Sequence, residues 1–301
     1  MKTLLVLLGP TGVGKTALAI ELAQHYGIPV INADSRQMYK DLPIGTAAPT
    51  AEEQQRAKHY FVGNLNLDDY YNASIYEKEA NEVIAEVLRD NDVALLTGGS
   101  MMYIDAVCNG IDDIPDVNTD IREAIKRQYQ DEGLEKLLDE LKISDPEYYS
   151  IVDRKNPRRV IHAVEICRMT GRSYTSFRKR EHKERPYRVK KIGLVRERKE
   201  LFERINQRTY DMLDNGFIEE AKRVYPYKGL NSLNTVGYKE LFSYFEGLMD
   251  LSTAIGRIQK NTRVYCKKQL TWFAKDQSIQ WFHPDDKQSV FECIDKSINQ
   301  E

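Results

Sequence analysis

The residues Gly9-Pro10-Thr11-Gly12-Val13-Gly14-Lys15-Thr16 carry the spacing G-x-x-x-x-G-K-[ST], and that spacing has a chemical use. Glycines let successive backbone N–H groups turn toward one point without a Cβ in the way. The helix that follows adds its positive end, Lys15 adds a full charge, and the Thr16 hydroxyl can hold Mg²⁺. The predicted ligand is a diphosphate held by residues 9–16. The alternative is a glycine-rich turn that merely joins a strand to a helix. Nothing in the motif requires the diphosphate to belong to ATP. A nucleotide hydrolase would also end a core strand with a metal-binding acid. Here Val93-Ala94-Leu95-Leu96-Thr97 runs into Gly98-Gly99-Ser100 without one.

A carboxylate stands instead at the end of another apolar run, as Asp34 in Asp34-Ser35-Arg36-Gln37-Met38-Tyr39. An Asp there could cap a helix, bind a ribose, or take a proton from a nucleophile. Gln37 could read an adenine edge through paired hydrogen bonds and Arg36 could bind phosphate; a solvated loop is the alternative. Eight basic residues lie between Arg178 and Lys191, suited either to an RNA backbone or to a solvated helical face. Tyr265, Trp272 and Phe273 share one helix face, which predicts packing against a core rather than a platform for bases.

These residues need elements to hold them. Residues 4–8 form a continuous apolar run of strand length, followed by the phosphate loop and a helix from Lys15 to Tyr26. Further strands are predicted at 28–33, 93–97, 189–195 and 279–282, with helices between. Ser74-Ile75-Tyr76-Glu77 reads as a capping box opening a helix that ends near Asp90. The alternation predicts an α/β, doubly wound fold whose ligands sit at the carboxyl ends of the strands. From 118 to about 183 only helical patterns occur, with Asn156-Pro157 as a start and Thr170-Gly171 as a stop. The expected domains are a catalytic core, 1–115 with 187–301, and a helical insertion, 116–186.

Bulk properties narrow the reading. With 301 residues, 41% hydrophobic and a net charge of -2, the chain exerts no global pull on nucleic acid, so any RNA contact must use local patches. Four scattered cysteines without a C-x-x-C pair predict free thiols in a reducing cytoplasm. The run 4–8 is too short for a signal or a membrane span, and no membrane partner is expected.

Five segments in order resemble the bacterial tRNA dimethylallyltransferases over nearly the whole chain. They are the phosphate loop, Asp34-Ser35-Arg36-Gln37-Met38-Tyr39, and Gly98-Gly99-Ser100-Met101-Met102-Tyr103. Val236-Gly237-Tyr238-Lys239-Glu240 follows, and then Asn261-Thr262-Arg263 with Tyr265, Lys267, Gln269 and Thr271-Trp272-Phe273. The resemblance implies a P-loop NTPase-like parallel-sheet core with an inserted all-helical, tRNA-binding domain. It implies transfer of a dimethylallyl group from dimethylallyl diphosphate to N6 of the adenosine at position thirty-seven, in the anticodon loop of tRNA. Catalytic roles follow for Asp34, Ser100, Lys15 and Thr16, with Mg²⁺ at Thr16. Contacts to the anticodon stem-loop follow for Asp34, Ser35, Arg36, Gln37, Ser100, Arg122, Arg158 and Arg159. A monomer is expected. The chain departs from the usual pattern at Ser100 (Thr), Thr235 (Ala), His162 (Arg), Cys266 (Ala) and Lys268 (Arg), and keeps Lys15, Thr16 and Asp34. The rivals are a P-loop kinase, a prenyltransferase acting on a free adenine nucleotide, and an RNA-binding module without catalysis.

Overall fold

The apolar run at 4–8 becomes strand β1 (Thr3–Leu8), every residue of which is buried. A strand carries such a run without alternation only where helices cover both faces of its sheet. In the computed structural model, which describes residues 2–179 and 182–299, two parallel strands flank it. These are β4 (Val93–Gly98) and β5 (Arg188–Leu194), with Leu5 opposite Leu95 on one side and Lys190 on the other. Beyond β4 lie β2 (Val30–Asn32) and β3 (His59–Tyr60), and beyond β5 lies β6 (Gln280–Phe282). The order is β3-β2-β4-β1-β5-β6, parallel throughout among the described residues. β3 falls in a stretch whose sequence reads as irregular, because two residues give no period to detect.

Helices α1 (Lys15–Tyr26), α2 (Ala51–Arg56), α3 (Ala73–Asp90) and α4 (Met101–Asn109) connect the first strands. The expected capping box at Ser74 is corrected. Asn72 caps α3 by accepting from the Ser74 and Ile75 amides at 2.9 Å each. Glu77 is instead buried and bound to Arg185 at 2.7 Å. A buried carboxylate bound to a guanidinium is not available for a helix end.

The chain forms two compact units, Met1–Asn109 with Glu184–Glu301, and Gly110–Lys183. The second contains α5 (Thr119–Glu132), α6 (Leu134–Ser144), α7 (Pro146–Ile151) and α8 (Pro157–Thr170) around its own core of Ile125, Leu137, Leu141, Val160 and Val164. Asn118, Asp145 and Asn156 cap α5, α7 and α8, and left-handed Gly171 stops α8. Asp145 is 1% exposed and also accepts from the Thr175 amide and hydroxyl at 2.7 and 3.0 Å. The first unit resumes with β5, α9 (Arg198–Asp214), α10 (Phe217–Val224), α11 (Tyr238–Phe245), α12 (Leu251–Phe273), β6 and α13 (Lys287–Asn299). No helix among the described residues is long and apolar enough to cross a membrane.

Candidate active site

Because β2, β4 and β1 are adjacent and parallel, their carboxyl ends bring together segments far apart in sequence. The chain leaves β2 through Asp34, β4 through Gly99 and Ser100, and β1 through the phosphate loop. The first two segments are fastened directly. The Ser100 amide donates to Ala33 O at 3.1 Å, and the Ser35 amide donates to Ser100 Oγ at 2.9 Å. Ser100 Oγ in turn donates to Ser35 Oγ at 3.1 Å. Asp34 Oδ1 accepts from the Arg36 amide at 3.0 Å, a turn that orients the carboxylate. A Cβ on Gly98 would lie 2.2 Å from Ala33 O, so this close approach requires glycine.

The loop after β1 turns on three glycines at positive φ, Gly9, Gly12 and Gly14. Gly9 has φ +154°, and a Cβ there would lie 2.8 Å from Leu194 O. Gly14 caps α1 with φ +109° and offers no side chain to its first amides. Helices α3, α5, α7, α8 and α12 all have an Asn or Asp cap instead. An uncapped helix start after a glycine loop is suited to receive an anion. Lys15 Nζ donates to Gly9 O and Pro10 O at 2.9 Å each. Arg204 Nε donates to Gly12 O and Arg196 Nε to Val13 O, both at 3.0 Å.

Burial dominates the electrostatics. It pulls the Lys15 pKa down to about 8, opposed by the Asp34 carboxylate and assisted by the Arg208 guanidinium. Arg208, on α9, is lowered by burial too, again opposed by Asp34. Its guanidinium donates to Thr11 Oγ1 and Thr46 O at 3.3 Å each. Two desolvated cations beside one carboxylate leave positive charge for which an entering diphosphate would compensate.

Tyr265 corrects an expectation. Phe273 packs in the core at 2% exposure, but Tyr265 and Trp272 are each 37% exposed. The Tyr265 hydroxyl lies beside Ser100, and its pKa is pushed up to about 12 by desolvation of that end of the ring and then by Asp34. Trp272 Nε1 donates to Asp105 Oδ2 at 2.8 Å. Tyr265 and Trp272 thus meet polar atoms of the β4 loop and of α4, while Phe273 alone of the three enters the core.

Gln37 Nε2 donates to Thr46 O and Ala47 O at 3.2 and 2.9 Å, and Arg36 donates to the carbonyls of Asn231 and Ser232 at 3.0 and 3.1 Å. In the helical unit Arg122 faces Glu165 at 3.8 Å, as does His162 at 3.6 Å. Arg158 and Arg159 are exposed at the start of α8. The basic run divides. Arg185 is half-buried and bound to Glu77 and to the carbonyls of Ala106 and Val107, and Lys191, 9% exposed, binds Asp276 at 2.6 Å. Those two hold the sheet unit together, which corrects their reading as an RNA track or a solvated face. Arg178 lies over the Tyr148 ring at 4.9 Å, and Arg180 is outside the described residues.

Arg208 and the bridging role of Gln269 were not drawn from the sequence. A signal existed for both. Leu201, Ile205 and Thr209 mark the buried stripe of α9, and Cys266 and Phe273 that of α12. Arg208 and Gln269 are polar residues three positions after Ile205 and Cys266 on those stripes.

Residues 37–276 match the family IPP transferase. The chain is 56% identical over 297 residues to tRNA dimethylallyltransferase 1 of Phocaeicola vulgatus, covering 99% of each. It is 55% identical over 298 residues to tRNA dimethylallyltransferase 2 of Parabacteroides distasonis, covering 99% of this chain and 100% of that one. Among solved structures it is similar to the tRNA isopentenylpyrophosphate transferase of Bacillus halodurans, with a TM-score of 0.72 and 31% identity, covering 99% of this chain and 97% of that one. It is also similar to a eukaryotic dimethylallyltransferase acting on tRNA, with a TM-score of 0.76 and 26% identity over 91% of this chain and 70% of that one.

Proposed function

The chain belongs to the IPP transferase family and transfers a dimethylallyl group to tRNA, and we propose that it does so between the phosphate loop and Asp34. The donor in this reading is dimethylallyl diphosphate, and the acceptor is N6 of the adenosine at position thirty-seven. The observation that carries it is the meeting of an anion nest and a carboxylate at the ends of β1 and β2, the two strands that flank β4, with Lys15 and Arg208 acting on both.

The adenine N6 lone pair is delocalised into the ring, so the amine gains nucleophilicity only as it loses a proton. Asp34 takes that proton. The allylic carbon gains positive charge as its bond to diphosphate breaks, and the departing anion needs stabilisation. The uncapped start of α1, Lys15 and Arg208 supply it. Ser100 and Tyr265, which lie side by side, border the acceptor side. The adenine leaves its stack to reach this point, at a cost of a few kcal/mol. Gln37 and Ser35 border the extruded base, and Arg158, Arg159 and Arg122 bind the anticodon stem-loop.

Thr16 presents a hydroxyl oxygen in the first turn of α1, a hard donor suited to Mg²⁺. Among the described residues no cluster of three His, Cys, Asp or Glu side chains could cage an ion, so the remaining ligands would be diphosphate oxygens and water. Bound there, Mg²⁺ would neutralise charge on the leaving group. The enzyme works as a monomer in the cytoplasm.

The test incubates the protein with unmodified tRNA, Mg²⁺ and radiolabelled dimethylallyl diphosphate. Parallel reactions contain γ-labelled ATP as donor or AMP as acceptor. Label at adenosine thirty-seven is the expected result. Label on AMP alone, or phosphate transfer from ATP, excludes the proposal.

A further inference from the structure

We propose that Gln269 is a positioning residue that fixes the diphosphate nest against the Ser100 loop and so sets the alignment of donor and acceptor. Gln269 lies on α12 and is 1% exposed. Its Oε1 accepts from the Thr11 amide at 2.9 Å, and its Nε2 donates to Gly99 O at 2.8 Å. One partner is in the loop after β1 and the other in the loop after β4. The bridge demands a side chain that accepts at one atom and donates at its neighbour, which only a primary amide does at this length. A carboxylate would set an oxygen against Gly99 O, and a thioether could satisfy neither loop.

The fit is reciprocal. A Cβ on Gly99 would lie 2.5 Å from Gln269 Nε2, so the glycine makes room for the amide. One helical turn earlier Tyr265 reaches Ser100, the residue after Gly99. α12 therefore bonds to the β4 loop at Gly99 and to the phosphate loop at Thr11, with Tyr265 beside Ser100. The inference rests on the transferase reading above. In that reading the leaving group sits in one loop and the acceptor beside the other, so relative movement of the loops changes the attack distance. A displacement of about 1 Å is enough to slow a reaction on the order of 100-fold.

Gln269→Glu, Gln269→Met and Gly99→Ala test this through label transfer at saturating dimethylallyl diphosphate and tRNA, with thermal unfolding measured alongside. Each variant is expected to lose kcat by on the order of 10- to 100-fold, while KM for tRNA changes by less than about threefold. Combining Gln269→Met with Gly99→Ala is expected to cost no more than the worse single change, because both remove one bridge. Gly99→Ala changes no residue of α12, acts only by displacing the Gln269 amide, and carries the test if a Gln269 variant fails to fold. Near-normal kcat in folded variants, losses that multiply in the double variant, or losses that merely follow the unfolded fraction overturn the proposal. An unchanged protein that fails to label tRNA defeats the transferase reading instead.

Discussion

At the scale of single residues, the proposed reaction divides its chemistry between a carboxylate that takes a proton and cations that hold an anion. Asp34→Ala is expected to lower kcat by on the order of 10²–10⁴ while pyrophosphate still binds, a split that single-turnover kinetics and calorimetry resolve. Near-normal turnover would remove Asp34 as the base. Lys15 carries a pH signature, because burial holds its pKa near 8 against an ordinary 10.5. Below about pH 8 the empty fold bears the whole cost of a desolvated ammonium. Between there and the ordinary value the unfolded chain binds more protons than the fold does, so stability of the empty protein rises with pH. Pyrophosphate, which needs the ammonium, is expected to bind up to about tenfold more weakly per pH unit above 8. Calorimetric titrations from neutral to alkaline pH should show this limb, and Lys15→Met should lack it.

At the scale of elements, the segment Val236-Gly237-Tyr238-Lys239-Glu240 shows how a motif can matter without touching the reaction. Glu220 on α10 is 1% exposed and accepts from the Ile44 and Gly45 amides at 2.9 and 2.8 Å and from the Tyr238 hydroxyl at 2.6 Å. Glu240 accepts from the Gly237 amide and from Asn261 at 2.7 Å each. A Cβ on Gly45 would lie 2.2 Å from the Phe217 ring. The next carbonyl, Thr46 O, receives both Gln37 and Arg208. α10 and α11 thus clamp a loop whose Thr46 carbonyl holds Gln37 and Arg208 together. Glu220→Ala leaves three donors unmet, the buried Tyr238 hydroxyl and two half-buried amides, and is expected to cost about 3 kcal/mol, and Tyr238→Phe about 1 kcal/mol, by denaturant unfolding. Equal stabilities would show that the clamp holds nothing.

At the scale of the molecule, the phosphate nest belongs to one unit, while Arg158 and Arg159 are exposed on the other, which has a separate core. Replacing both arginines with Glu is expected to raise KM for tRNA about tenfold and leave KM for dimethylallyl diphosphate unchanged. The salt dependence of tRNA binding should also flatten, by roughly one unit of slope for each phosphate no longer neutralised. If both KM values rise together, the helical unit is not a dedicated RNA surface.

Near neighbours along the chain dictate much of this protein. The phosphate loop follows from glycine spacing, the central strands from unbroken apolar runs, and the helical unit's α8 from Asn156-Pro157 and Gly171. Asp34 was legible because a lone carboxylate closed an apolar run. Folding in three dimensions settled what depends on which distant group arrives. Glu77 reads locally as a cap, yet Arg185 from far along the chain claims it. Arg185 and Lys191 read locally as free charge, yet carboxylates of the sheet unit wait for them. Arg208, Gln269 and Tyr265 gain their partners only when α9 and α12 fold against the loops after β1 and β4. No spacing along one chain encodes such a meeting, because its partners are set by the order of strands in the sheet.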